Sequence, residues 1–381
     1  MREQRYAVAA AAIFDGAVVQ DNGAVIIEEG RIVALVPRRE VPAGIALHEL
    51  PDGAWLAPGF IDVQVNGGGD VLFNNEPTPE GIAKIAAAHR RFGTTGLLPT
   101  LITDSDETMR AARAAVDAAM RTQPGILGIH FEGPFLSPEK SGVHDPSLMR
   151  TPNSRHRDSL TGSSGVTLVT LAPERVPDGF IRSLVGAGAR VSLGHSMASY
   201  EQTRCAIADG LTGFTHLFNA MRPMSAREAG PIAAALESPG CWYGLIVDGF
   251  HVAPAMLRLA LRGAGTPMLV TDAMPSVGGV KKTFTLYGRE ILVEGERCAT
   301  KDGTLAGSVI DMATAVRNCV KLLGVPLADA LRFASRTPAE FLGLGSRLGR
   351  IAPNYRADMV ALDSTDVRVL GTYLSGIYQS P

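Results

Sequence analysis

The strongest constraint on this chain is a rhythm. Between residues 60 and 271, short runs rich in Val, Ile and Leu alternate with longer alanine-rich stretches. The runs fall at residues 60–65, 96–101, 126–131, 166–169, 190–193, 213–216, 243–247 and 268–271. Helical stretches are expected between the first three, over 82–92 and 109–120. Strands buried on both faces read as continuous apolar runs rather than alternating ones. Eight such β–α units predict a (β/α)8 barrel of the α/β class. A doubly wound sheet is the other arrangement to weigh, but no G-x-G-x-x-G follows the first run.

The ends of the chain differ from the middle. Residues 24–27 and 31–36 flank Glu28-Glu29-Gly30, an apolar run, a charged glycine turn and a second run, which reads as a hairpin. Residues 358–362 and 367–370 repeat the style around Ser364-Thr365-Asp366. Neither end can bury a core alone, so one small β-sandwich built from both termini is expected, from residues 1–57 and 345–381, around a catalytic barrel over 58–344. The alanine-rich stretch 2–14 could be a secretory leader, but its strand-like pattern continues past that point, and a first strand is the better reading.

Composition excludes several classes. A net charge of -2 over 381 residues gives no basic footprint for nucleic acid. No apolar run is long enough to cross a bilayer. Cys205, Cys241, Cys298 and Cys319 are widely spaced and form no C-x-x-C. They read as reduced thiols in a cytoplasmic protein, not as a disulfide framework or metal site.

Barrel enzymes carry their chemistry at the C-terminal ends of the strands. Here Glu132 follows the third run and His195 the fifth. His216 ends the sixth, Asp248 and His251 follow the seventh, and Asp272 follows the eighth. Taken singly, such a histidine is commonly a satisfied structural group and such an aspartate a helix cap. Their convergence on one barrel end is what those separate accounts leave unexplained. Two imidazoles and a carboxylate suit a catalytic metal shell with one position open to water. Glu132, His195 and His216 fit that shell, and Asp272 fits an acid/base outside it. His130 should turn the same way as Glu132, as a group behind the ligands.

The segments carrying these residues are Gly128-Ile129-His130-Phe131-Glu132-Gly133-Pro134-Phe135, Gly194-His195-Ser196, His216-Leu217-Phe218-Asn219-Ala220-Met221, Asp248-Gly249-Phe250-His251 and Val270-Thr271-Asp272-Ala273. With Ala57-Pro58-Gly59-Phe60-Ile61-Asp62 before them and Leu305-Ala306-Gly307-Ser308 after, the chain resembles the amidohydrolase superfamily. Within it, the chain is most similar to the N-acetylglucosamine-6-phosphate deacetylase family. The resemblance implies removal of acetate from the amide of that sugar phosphate. It implies Glu132, His195 and His216 as ligands of one divalent metal, zinc first, with iron, manganese or cobalt tolerated. It implies Asp272 as general acid/base, and His251 as a sugar contact that polarises the amide carbonyl, with Asp248 beside it. Val143 and His144 are implied as substrate contacts. Asn219, Ala220 and Arg227 are implied at the phosphate end, and Leu305, Ala306 and Gly307 as a backbone lining. A homodimer is expected, with Arg227 reaching across the interface.

Binuclear relatives in the superfamily carry His-x-His after the first strand and a modified lysine on the fourth. This chain has Gln64-x-Asn66 and no lysine in Leu168-Val169-Thr170-Leu171-Ala172-Pro173. Gln64 and Asn66 are therefore expected as a vestigial metal position or as supports behind the first one. The galacto epimer of the sugar and a non-enzymatic sugar-phosphate binder are the competing readings.

Overall fold

The computed structural model describes residues 5–381. Eight strands form one sheet: β1 (Phe60–Val65), β2 (Thr94–Ile102), β3 (Gly128–Glu132), β4 (Val166–Leu171), β5 (Arg190–Leu193), β6 (Gly213–Phe214), β7 (Trp242–Leu245) and β8 (Thr266–Leu269). They lie side by side in chain order. The sheet closes where Val65 makes a parallel bridge to Ala273. There the Asp272 N–H donates to the Gln64 carbonyl at 3.0 Å and the Asn66 N–H to the Ala273 carbonyl at 2.9 Å. The result is the (β/α)8 barrel the rhythm predicts. Every residue of β2 and β3 is buried, which explains their unbroken apolar character.

The ladder differs from the sequence expectation at the strand ends. Strand β6 stops at Phe214, and β7 and β8 stop at Leu245 and Leu269, so the functional residues sit beyond the regular pairing. At three of these ends the backbone turns into left-handed space, with φ of 48° at His195, 32° at His216 and 52° at Asp272. A non-glycine residue there cannot continue a ladder, so the strand ends and its side chain is redirected.

A polar chain crosses the barrel interior. Thr100 Oγ1 lies 3.2 Å from His130 Nδ1, and His130 Nε2 lies 2.7 Å from Thr170 Oγ1. Thr170 Oγ1 continues to Thr215 Oγ1 at 2.6 Å, and Thr215 Oγ1 donates to Ser192 Oγ at 2.8 Å. Both His130 nitrogens are thus satisfied, as a buried imidazole requires. Burial pushes its pKa down to about 4, so the ring is neutral.

Beyond β8 the chain adds a feature absent from the sequence reading, a three-stranded antiparallel insert of Thr283–Leu286, Arg289–Glu294 and Arg297–Thr300. Its Leu286, Ile291 and Cys298 pack with Leu72, Ile102, Met274 and Ala306.

The chain divides into two compact units, one of residues 5–62, 87–96 and 311–381 and the other of residues 63–86 and 97–310. In the first, both termini contribute to one eight-stranded mixed sheet. Its first strand, Arg5–Phe14, pairs antiparallel with Val19–Glu28 and parallel with Ala46–Glu49 and Ala54–Pro58. Residues 2–4 of the expected first strand lie outside the described residues. The predicted hairpin is present, turning at Glu29 and Gly30, both with positive φ, as a tight two-residue hairpin turn requires. Met359–Asp363 joins the sheet against Ala54–Pro58, which brings the C-terminal segment to the N-terminal one. All four cysteines are free, and no helix among the described residues is long and apolar enough to cross a membrane.

Gly128 is where sequence and barrel register meet most tightly. Its φ is 152°, and a Cβ there would lie 1.9 Å from the Val166 carbonyl oxygen. No side-chain adjustment relieves a clash with backbone. Gly128→Ala is expected to cost about 3 kcal/mol or more. Thermal unfolding of the two proteins checks this; equal Tm values would mean that β3 and β4 are not so paired.

Candidate functional site

Glu132, at the end of β3, is 2% exposed and receives both ligand-type histidines on one oxygen. His195 Nε2 lies 3.1 Å and His216 Nε2 3.0 Å from Glu132 Oε1, and the two imidazole nitrogens are 3.1 Å apart. Burial opposes ionisation of Glu132, yet the His195 and His216 contacts outweigh it and hold the carboxyl well below its ordinary range. Burial likewise disfavours a charged His216, but the Glu132 hydrogen bond and charge outweigh that and raise its pKa.

This donor set fits a metal ion. Its edges are near those of a tetrahedral face with zinc-like bonds of roughly 2.0–2.1 Å. The second nitrogen of His195, Nδ1, lies 2.7 Å from the Lys140 carbonyl, to which it can only donate. That turns Nε2 toward the centre, where a metal ligand would stand. A third imidazole, His144, also brings a nitrogen within 4.8 Å of the Glu132 and His195 ligand atoms. It is wired differently: the Thr103 N–H donates to His144 Nδ1 at 3.4 Å, with Thr103 Oγ1 2.8 Å from the same nitrogen. His144 thus lines the same cavity with Nδ1 turned toward Thr103, while His216 Nε2 lies within hydrogen-bond distance of both Glu132 and His195. Burial, reinforced by His195, holds the His144 pKa well below its ordinary value, so the ring is neutral.

Asp272 lines the same cavity. Gln64 Nε2 donates to Asp272 Oδ1 at 3.1 Å and to Glu132 Oε2 at 3.2 Å, so one amide joins the two carboxylates. Asn66 Nδ2 donates to Asp272 Oδ1 at 2.6 Å. Burial and the Glu132 charge push the Asp272 pKa up to about 6. A carboxyl poised there can both accept and return a proton near neutrality.

The cavity has a volume of about 380 Å³. Besides these groups it is lined by Val143, Asn219, Ala220, His251, Leu305 and Gly307. Asp248 stands behind His251, its Oδ2 2.6 Å from His251 Nδ1, while Oδ1 takes the N–H groups of Phe250 and His251 at 2.8 and 2.9 Å. Burial would raise the Asp248 carboxyl, but these bonds hold it below its ordinary range. Ala306 is buried in the core of the insert rather than facing the cavity. Arg227 is exposed and outside the cavity lining. It rides on a loop ordered by its own bonds: Arg222 pairs with Glu228 at 3.2 Å, and the Ser225 N–H donates to the Glu228 carbonyl at 2.8 Å.

Sequence reasoning passed over Thr103, Lys140, Met274 and Thr304. Lys140, Met274 and Thr304 line the cavity, and Thr103 holds His144. Only Thr103 carried a signal, since it lies just past the second apolar run, where the strand-end rule applies.

Comparison with known proteins bears on the same residues. The amidohydrolase family profile matches residues 55–377, and that of the NagA composite domain matches residues 5–56. The chain is 44% identical to an N-acetylgalactosamine-6-phosphate deacetylase of Shewanella sp. (strain ANA-3), over 97% of this chain and 96% of that one. It is 35% identical to the N-acetylglucosamine-6-phosphate deacetylase of Haemophilus influenzae, over 98% of each. The crystal structure of N-acetylglucosamine-6-phosphate deacetylase from Pasteurella multocida superposes with a TM-score of 0.95 at 34% identity, covering 99% of this chain and 100% of that one. A mutant of the Mycobacterium smegmatis deacetylase, in complex with N-acetyl-D-glucosamine 6-phosphate, gives 0.90 at 35% identity, over 98% and 99%.

Two predictions follow from this geometry. Purified protein should carry close to one equivalent of divalent metal. His195→Ala and His216→Ala should lose it, and Asp272→Asn should keep it while turnover falls on the order of a hundredfold or more. Metal analysis beside steady-state rates separates these outcomes, and near wild-type turnover of Asp272→Asn would remove that residue from the chemistry. The second concerns pH. Asp272 must be ionised to accept a proton, so kcat/KM should fall as pH drops through its pKa. The Asn66 bond favours the ionised form, so Asn66→Ala should move this acid limb to higher pH. An unmoved limb would assign it to another group.

Proposed function

The chain belongs to the amidohydrolase family, and on that premise we propose that it hydrolyses the acetamide of N-acetyl-D-glucosamine 6-phosphate to D-glucosamine 6-phosphate and acetate. The observation that carries the reading is the Glu132, His195 and His216 triangle with Asp272 bonded alongside it in one cavity. A non-catalytic sugar-phosphate binder has no use for a proton-exchanging carboxyl beside a metal-type donor set.

Glu132, His195 and His216 would hold the metal, zinc as first expectation, with iron, manganese or cobalt compatible with the donors. A divalent ion in such a set supplies Lewis acidity, acidifying water and polarising a carbonyl. Asp272 takes the proton of the attacking water as the new C–O bond forms. It then returns that proton to the nitrogen as the C–N bond breaks, so a neutral amine leaves. Gln64 and Asn66 aim the Asp272 carboxyl throughout. His251 holds the Asp248 carboxylate on Nδ1, which fixes the ring with Nε2 toward the cavity, where it would serve the developing oxyanion.

Asn219 and Ala220 form the end of the cavity proposed for the phosphate. Arg227, exposed on its ordered loop, would complete that end in a second copy of the chain, giving a homodimer with shared sites. The free cysteines support a reducing, cytoplasmic setting, with amino-sugar catabolism and cell-wall recycling as the role. A second reading has its own support: the relative at 44% identity is named for the galacto epimer. Acetate release from both epimers, with and without the 6-phosphate, tests the reading. Equal turnover of free N-acetylglucosamine and its phosphate would overturn it, and preference for the galacto phosphate would select the second reading.

A charge-assisted fork to phosphate is worth about 1.5–3 kcal/mol. Arg227→Ala should therefore weaken binding of the phosphorylated sugar roughly tenfold to a hundredfold. The unphosphorylated sugar should be nearly unaffected. Undiminished discrimination in the variant would place phosphate recognition elsewhere, and full activity of a monomer at nanomolar dilution would overturn the shared site.

A further inference from the structure

Two residues, Tyr287 and Thr103, link the insert to His144, and the mechanism above uses none of the three. Tyr287 sits at the turn between Thr283–Leu286 and Arg289–Glu294, with φ of 50°. Its hydroxyl donates to the Thr103 carbonyl. Thr103 in turn meets His144 Nδ1 through both its hydroxyl, at 2.8 Å, and its N–H, at 3.4 Å. Thr103 and His144 are both buried, so no bulk water competes for these bonds.

We propose that Thr103 and Tyr287 are positioning residues that fix His144 as the Nε2–H tautomer, making it a fixed donor to an oxygen of the bound sugar rather than a fourth metal ligand. The inference rests on the deacetylase reading for the identity of that oxygen. The tautomer itself stands on geometry alone. A backbone N–H can only donate, so the nitrogen it meets must be bare. The ring cannot rotate its other nitrogen into that place without losing the Thr103 hydroxyl as well. It is also held against His195, with ring centroids 4.4 Å apart at 54°. Nε2 is left to face a cavity where Glu132 and two imidazole lone pairs already supply the metal-type donors.

The Tyr287 link makes this arrangement conditional. Thr103 lies one residue beyond the end of β2, where ladder bonds no longer fix the backbone. The bond to its carbonyl comes from a side chain 184 residues away. The insert contributes to the cavity wall through the following segment, at Thr304 and Leu305. The insert and the segment after it thus contribute to the cavity wall and, through Tyr287, to the bonds that hold His144.

The test uses full-length, zinc-loaded protein with 15N-labelled histidine. Nitrogen spectra report which ring nitrogen bears hydrogen, and His144→Gln identifies the relevant signals. Wild type should show His144 with bare Nδ1 and protonated Nε2 in the absence of any sugar. Thr103→Val should give a mixed tautomer and lower kcat/KM roughly fivefold to tenfold, the size of one lost neutral hydrogen bond. Thr103→Ser should restore both, and Tyr287→Phe should shift both in the same direction as Thr103→Val. Metal content should match wild type in all three. A protonated Nδ1 in wild type overturns the proposal. So do unchanged spectra and rates in both Thr103→Val and Tyr287→Phe, or loss of metal in step with activity. If no sugar is turned over by wild type, the function fails while the spectra still decide the tautomer.

Discussion

Two carboxylates share one end of a closed barrel, joined through a single amide. Glu132 and Asp272 both accept from Gln64 Nε2, at 3.2 and 3.1 Å, in the wall of one cavity. Like charges so placed repel, and burial adds to the cost of ionising either. The protein resolves this by treating them unequally. Glu132 receives two imidazoles and remains an anion, while Asp272 receives only neutral amides and is pushed up to about 6. That inequality suits the one to anchor positive charge and the other to exchange protons. The division of labour follows from which neighbours each strand end supplies, and it would vanish if the neighbours were exchanged.

Barrel closure is what supplies those neighbours. Gln64 comes from the first strand, Asn66 from just past it and Asp272 from beyond the last. They meet only because Val65 bridges Ala273 and the Asp272 N–H donates to the Gln64 carbonyl. The interior chain from Thr100 through His130 and Thr170 to Thr215 ties together the strands that carry Glu132 and His216. Asp248 does for His251 what the Lys140 carbonyl does for His195, fixing which ring nitrogen is presented to the cavity.

Much of this was legible in the sequence, for a physical reason. Strands buried on both faces admit polar residues only where these find partners, so Glu132, His195, His216 and Asp272 stand out against their mainly apolar runs. The barrel rule then says where such exceptions gather. Gln64 and Asn66 were visible too, because they replace a known pattern. Two things were not legible. The insert is short and moderately polar, and its strands carry no strong period. The role of Thr103 depends on a backbone N–H, which any residue possesses. Arg227 was named through the resemblance alone, and it stands exposed outside the cavity lining.

The remaining question is why His195, His216 and Asp272 all occupy left-handed backbone. Such a conformation costs on the order of 1–3 kcal/mol at a non-glycine residue. A regular strand end would send alternate side chains to opposite faces, so neighbouring positions could not converge on one point. Turning the backbone at the last residue aims each side chain across the mouth instead of along the barrel wall. Glycine would relieve the strain but removes the functional group, so the strain must be carried where the chemistry is. It is held in place by backbone bonds made just past the turns. The Ser196 N–H donates to the Ala220 carbonyl at 3.0 Å, Leu217 to Gly244 at 2.8 Å, and Met274 to Ser308 at 3.0 Å. Each strained residue is thereby pinned by a bond to a different segment, two of them loops and one the strand β7. The loops of the barrel mouth consequently act as one connected collar that holds the ligand triangle and Asp272 at their separations before any substrate arrives.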